Sequence, residues 1–211
     1  MKNKIYIFFS SVLIFLSFCL GIIAYSFLPS KIASHWNYLG QVDGYSSKFW
    51  GIFLLPILML VMSVLLKVFQ KLDPKAENIK KFETHYNSFL FILNIFFFIV
   101  FLFSLLWNLG IHLYINKVMA LLLAFLFYSV GDLMKATKQN YFIGIRTPWT
   151  LHSESVWNKT NILGGKLFQV LSGLSLIGWF YPNYLLALVF IPLIGFIVYI
   201  YIYSYLEFKK L

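Results

Sequence analysis

The chain has 211 residues, of which 61% are hydrophobic, 21% aromatic and only 11% charged, and its formal net charge is +10. Soluble globular domains have about a quarter of their residues charged, so this composition excludes a soluble domain and implies an integral membrane protein. The basic residues are spread over short connectors, with no stripe and no interleaved aromatic platform, which argues against direct nucleic-acid binding.

A helix needs about 20 apolar residues to cross a hydrocarbon core of about 30 Å. Runs of that length occur six times, at Ile5–Leu28, Phe49–Phe69, Tyr86–Trp107, Tyr114–Met134, Ile162–Tyr181 and Tyr184–Leu206. They are continuous and do not alternate, which favours helices over barrel strands. The first run has a basic start, but it is about twice as long as a signal-peptide core and has no small-x-small cut site. Phe18 in front of the single Cys19 argues against lipoprotein processing, so the run reads as a retained helix. One cysteine leaves no internal disulfide and no cysteine-based zinc site. With six spans, fourteen of the lysines and arginines fall on one side and only Lys31, Lys48 and Lys117 on the other. The positive-inside rule then predicts a multi-pass protein of the cell membrane with both termini in the cytoplasm.

The first outer connector is LPSKIASHWNYLGQVDGYSSKFW. Pro29 is expected to end the first helix, and Gly40 and the Asp43-Gly44 pair supply turn chemistry. Trp36, Tyr45 and Trp50 suit the headgroup level. His35 and Asp43 read as part of a metal set, as a proton-linked pair, or as a surface histidine beside a turn aspartate. Metal sites want three or four ligands, which favours the last reading and no metal. Pro56 and Pro192 lie inside spans and mark packed bends or hinges. The second connector, KVFQKLDPKAENIKKFETH, alternates in sign and reads as a solvated inner segment with a new helical piece near Asp73-Pro74. Asn94, Ser104 and Ser129 can bond between helices, at about 1 kcal/mol each in model peptides. No span has a carboxylate or arginine near its middle, as ion-coupled transporters and proton relays do.

The long polar interruption, Tyr141 to Lys166, concentrates special-purpose residues. Tyr141 to Ile145 reads as a short apolar piece dipping into the interface. The planar fork of Arg146 can hold lipid phosphate, a carboxylate such as Glu154, or free helix carbonyls. Pro148 pushes Thr147 to an extended conformation and makes RTPWT a rigid corner. Ser153 is placed to cap a helix with Glu154 in its first turn. Val156, Thr160, Leu163 and Leu167 share one face of that helix, while Asn158, Lys159 and Asn161 can face water. Gly164 and Gly165 permit close backbone approach, and Lys166 can snorkel. The stretch is either an amphipathic anchor at the interface or a cytoplasmic docking element, and chemistry alone favours the anchor.

IGIRTPWTL followed by SESVWNKTNILGGKLF closely resembles the signature of the bacterial SdpI immunity-protein family. LPSKIASHWNYLGQVDGYSSKFWGIFLLPILML resembles the two-helix domain of unknown function that commonly precedes it. The resemblance implies signature positions at Gly144, Arg146, Thr147, Pro148, Trp149, Thr150, Glu154, Trp157, Gly164 and Lys166. In the outer loop it implies Pro29, His35, Trp36, Gly40, Asp43 and Gly44. It also implies protection of a Gram-positive bacterium against a secreted, membrane-active toxin peptide, with signalling through an ArsR-type repressor held at the membrane.

The expected fold is therefore all-α, with six transmembrane helices and an interfacial amphipathic helix on the cytoplasmic side. Residues 1–72 are expected to form a two-helix domain with an ordered external loop, which is the expected peptide contact. Residues 73–211 are expected to form a four-helix domain with the cytoplasmic signature at 141–166. The expected partners are the bilayer, the toxin peptide and a repressor, without cofactor or catalysis: His85, His112 and His152 lie apart, with no HExxH, paired carboxylates or nucleophile elbow. The alternative is a transporter or exporter of a small amphiphile.

Overall fold

Backbone amides in hydrocarbon must be satisfied within their own segment, so long apolar runs fold as helices. A computed structural model describes residues 2–211. It contains α1 (Lys2–Tyr25), β1 (Lys31–Trp36), β2 (Val42–Ser47), α2 (Lys48–Leu72), α3 (Ala76–Lys80), α4 (Glu83–Asn108), α5 (Ile115–Ala136), α6 (Pro148–His152), α7 (Glu154–Phe180), a 3-10 turn (Pro182–Tyr184) and α8 (Leu185–Phe208). Six of the helices are long and apolar enough to cross a membrane. Their order agrees with the predicted spans, and α2 and α8 run unbroken through Pro56 and Pro192.

The six-helix, all-α membrane part is as expected, and the first outer connector adds a two-stranded hairpin to it. β1 and β2 pair antiparallel there, and Asn108 at the end of α4 completes the hairpin edge. Its Oδ1 accepts from Ala33 N–H at 2.8 Å and its Nδ2 donates to Ala33 O at 3.0 Å. The turn is built by Asn37, whose Oδ1 accepts from Leu39 N–H at 2.9 Å and Gln41 N–H at 3.0 Å. Gly40 completes it at φ +79°, a conformation that only glycine takes without strain. Asp43 and Gly44 lie in β2 and not in a turn, because Gly44 pairs with His35 across the ladder. Nor does Pro29 end the first helix, which stops at Tyr25.

Ile32 of the hairpin, Ala24, Leu28, Ile52 and Phe101 form one buried cluster. At the basic end, Ile79, Phe82, Tyr86, Leu90 and Leu133 form another. α4 packs on α1, α2 and α5. The most extensive helix contact is α5 with α7, where a Cβ on Gly165 would lie 2.5 Å from Gly131 O, so no side chain fits between the backbones there. Asn94 bonds between helices as expected, donating to Ser63 Oγ at 3.0 Å. In the other half the bond comes from Ser172, which donates to Ala124 O at 2.7 Å, and not from Ser129.

The second connector is solvated on one side only. Ile79 and Phe82 are buried, and Asp73, 4% exposed, accepts from Lys75 N–H at 2.6 Å and from Tyr141 N–H at 2.8 Å. It is therefore tied to the polar interruption more than sixty residues later in the chain. The separate amphipathic helix is also absent, because Glu154 to Phe180 is one helix whose first turns bury Val156, Trp157, Thr160 and Asn161.

Candidate functional site

The signature loop is assembled on two buried asparagines. Asn140 is fully buried, and its Oδ1 accepts from Phe142 N–H at 2.9 Å and Ile143 N–H at 2.7 Å. Its Nδ2 donates to Lys138 O at 2.8 Å and Ile143 O at 3.0 Å, so one side chain closes the whole turn. Asn161 of α7, 1% exposed, accepts from Ile145 N–H at 2.8 Å and donates to Trp157 O at 3.1 Å. Between them Gly144 stands at φ +111°, and a Cβ there would meet Asn161 Oδ1 at 2.6 Å. Trp157 is fully buried and its Nε1 donates to Thr137 O at 3.3 Å.

The RTPWT corner folds as a capped single turn. Thr147 Oγ1 accepts from Thr150 N–H at 3.2 Å, and Thr150 Oγ1 accepts from Thr147 N–H at 2.8 Å, a reciprocal capping box with Pro148 opening α6. Thr150 Oγ1 also donates to Ile145 O at 2.9 Å. Thr147 Oγ1 donates to Ser204 Oγ of α8 at 3.1 Å, which fixes the corner to the last helix. Trp149 packs on Tyr201 and Tyr205 of α8, each with ring centroids 5.1 Å away. The far end of α6 is capped by Gln139 Nε2, which donates to Thr150 O and Leu151 O at 2.8 Å. Gln139 Oε1 itself accepts from Lys75 of the second connector. Ser153 caps α7 as expected, its Oγ accepting from Val156 N–H at 3.4 Å.

The predicted signature residues therefore divide in two. Gly144, Thr147, Thr150, Trp157 and Gly164 are framework, with Gly164 packed against Met134, Ile145 and Ile200. Arg146, Pro148, Glu154 and Lys166 are exposed, and Trp149 stands half-buried between the groups. Within the protein Arg146 makes one bond, Nη1 donating to Tyr141 O at 2.5 Å, and no ion pair with Glu154 forms. The basic end instead holds an ion pair that the sequence reading did not find. Glu207, 6% exposed, accepts from Lys159 Nζ at 2.7 Å and from Lys210. Asn161, expected to face water, is buried because the loop amide at Ile145 needs an acceptor. Asp73, Gln139 and Asn140 were missed for the same reason, since polar side chains beside a connector read as solvated. The available signal was the polar triplet KQN directly before a short apolar run ending in glycine.

On the opposite end, His35 Nδ1 and Asp43 Oδ1 are 2.5 Å apart. The two side chains pair with each other on the exposed face of the hairpin. Trp36 is half-buried between the hairpin and α4, edge-on to Phe103 at 5.2 Å and Trp107 at 5.8 Å. Tyr38, Tyr45 and Trp50 are the exposed aromatics around it.

This geometry maps onto known sequence families. Residues 12–60, covering most of α1, the hairpin and the first half of α2, match the domain of unknown function DUF1648. Residues 136–204, from the last residue of α5 through the signature loop into α8, match the SdpI/YfhL protein family. Among curated proteins, the chain is 29% identical over 205 residues to the immunity protein SdpI of Bacillus subtilis (strain 168), covering 96% of this chain and 95% of that protein. No solved structure matches. The chain is a multi-pass membrane protein similar to the SdpI/YfhL family over its signature loop and last two helices, with a DUF1648-like region carrying the hairpin in front.

Proposed function

We propose that this protein is an immunity protein of the cell membrane that protects its host against a secreted, membrane-active toxin peptide without catalysis. The observation that carries the reading is the similarity to an immunity protein along almost the entire length of both chains. A peptide acting in or on the bilayer can be neutralised by binding alone. The fourteen-to-three distribution of basic residues supports an orientation with both termini and the signature loop in the cytoplasm and the hairpin outside. In this arrangement residues 1–72 form the outward-reading domain and residues 73–211 the domain that carries the signature.

The hairpin meets the peptide through Tyr38, Tyr45 and the His35-Asp43 pair, while Trp36 holds the hairpin on α4. On the cytoplasmic side the exposed Arg146, Pro148, Glu154 and Lys166 are the residues that a repressor of the ArsR type reads. Expressed in a sensitive bacterium, the protein raises survival against such a peptide, and substitutions at Tyr38 or Tyr45 weaken peptide binding measured in nanodiscs. Absence of protection against a panel of depolarising peptides, at normal membrane abundance, refutes the reading. Flux of an amphiphile in proteoliposomes would then support the second reading, a transporter. The observation that favours that alternative is a largely apolar crevice between α1, α2 and α4 that carries several polar side chains.

A further inference from the structure

That crevice lies in the half of the bundle nearest the basic connectors, has a volume of about 230 Å³, and shares no residue with the signature loop. Ser10, Ser63, Lys67, Asn87 and Asn94 bring polar atoms into it from three different helices. Asn94 is internally satisfied, since it donates to Ser63 Oγ and Leu90 O. Asn87 is not: it is 2% exposed, and its Nδ2 is buried with no hydrogen-bond partner among the described residues. An unpaired amide donor at such a position is unfavourable unless something else accepts from it. Lys67 also lines the crevice and forms no ion pair among the described residues. The nearby Glu83, one turn before Asn87, is engaged by Asn3 Nδ2 at 2.9 Å and is not part of the lining.

The lining thus has one cation, a free amide donor and no carboxylate, a combination that asks for an anionic acceptor. Depth and access narrow the choice. At 1.5 Å per residue Lys67 lies about 8 Å from the end of α2 and Asn94 about 16 Å from the start of α4, so the polar groups run from headgroup level toward the middle of the membrane. The outer wall is formed by Leu60 and Val64, which are 45% and 53% exposed on the surface that meets lipid. A ligand therefore reaches the crevice from the bilayer.

We propose that this crevice binds one anionic acyl lipid, its phosphate or carboxylate head on Lys67 and Asn87 and its chain along Ile14, Leu60 and Val64. This inference does not rest on the immunity reading. A lysine that only snorkels to bulk headgroups would need neither the cavity nor the buried amide.

The test uses the full-length protein, delipidated in mild detergent and titrated by native mass spectrometry with phosphatidylglycerol, phosphatidylcholine of the same chains, oleate and inorganic phosphate. One saturable equivalent of phosphatidylglycerol is expected, with phosphatidylcholine bound about tenfold more weakly. Lys67→Gln and Asn87→Leu should each weaken binding by about tenfold or more, and Lys117→Gln on the hairpin side should leave it unchanged. Preferential retention of oleate supports the site and identifies a fatty acid as the source of the head. Equal retention of phosphatidylglycerol and phosphatidylcholine, wild-type binding by Lys67→Gln, or binding of inorganic phosphate as tight as that of the lipid each overturns the proposal. If Asn87→Leu fails to fold, Lys67→Gln against the charge-preserving Lys67→Arg carries the same test, with binding expected only in the arginine variant.

Discussion

The Asn161 side chain carries the part of the signature loop that sequence alone could not have placed, so its truncation is the sharpest test of the structure. In Asn161→Ala the N–H of Ile145, now bonded at 2.8 Å, loses its acceptor, and the space beside Gly144 and Trp157 empties. An orphaned buried donor costs about 1–3 kcal/mol. The second bond, to Trp157 O, adds little, because that carbonyl keeps its place in the helix ladder. A total near 2 kcal/mol corresponds to a drop in melting temperature of roughly 4–8 °C for a chain of this size.

The loss is local, which gives a second readout. Arg146 is exposed, and its peptide bond lies inside the pinned loop, so tryptic cleavage there follows opening of the loop. Weakening the loop by about 2 kcal/mol raises the open population, and the cleavage rate of purified protein, about thirtyfold. Asn158→Ala is the control, a half-exposed neighbour on the same helix. If Asn161→Ala melts and is cleaved like Asn158→Ala, the loop is not held by this residue and is not assembled on α7 in this way.

Two further outcomes follow from the geometry and one from the distribution of basic residues. Gly165→Ala places a methyl 2.5 Å from Gly131 O and should lower stability by about 1–3 kcal/mol, whereas Gly173→Ala, with nothing within 4 Å, should be neutral in the same melting assay. Arg146→Ala and Arg146→Lys should each change stability by less than about 1 kcal/mol, since only one exposed bond is lost. Both should nonetheless reduce protection if the remaining guanidinium donors read a partner, and full protection by the lysine variant would exclude that use of the fork. In a Cys19→Ser background, an impermeant thiol reagent on intact cells should label a cysteine at position 48 but not one at position 159, and the reverse pattern would invert the orientation.

What the sequence determined by itself is the membrane class, the six spans and their order, because hydrocarbon thickness and backbone satisfaction leave a long apolar run little choice but a helix. Single residues were legible where their chemistry is local, as with Ser153 capping α7, Thr147 held extended before Pro148 and Gly40 turning the outer connector. Only the tertiary structure decided the partners of the polar residues. Asp73 receives the amide of Tyr141, Asn161 receives that of Ile145, and Asn108 completes the edge of β1, each across a separation along the chain that no local pattern encodes. The hairpin was invisible for the same reason, since its edge is satisfied by a helix end more than sixty residues away. An asparagine next to a membrane span looks identical in sequence whether water or a distant backbone amide takes its hydrogen bonds. The outcome depends on which loops the packed helices bring together, and a buried donor must then find an acceptor wherever the fold supplies one.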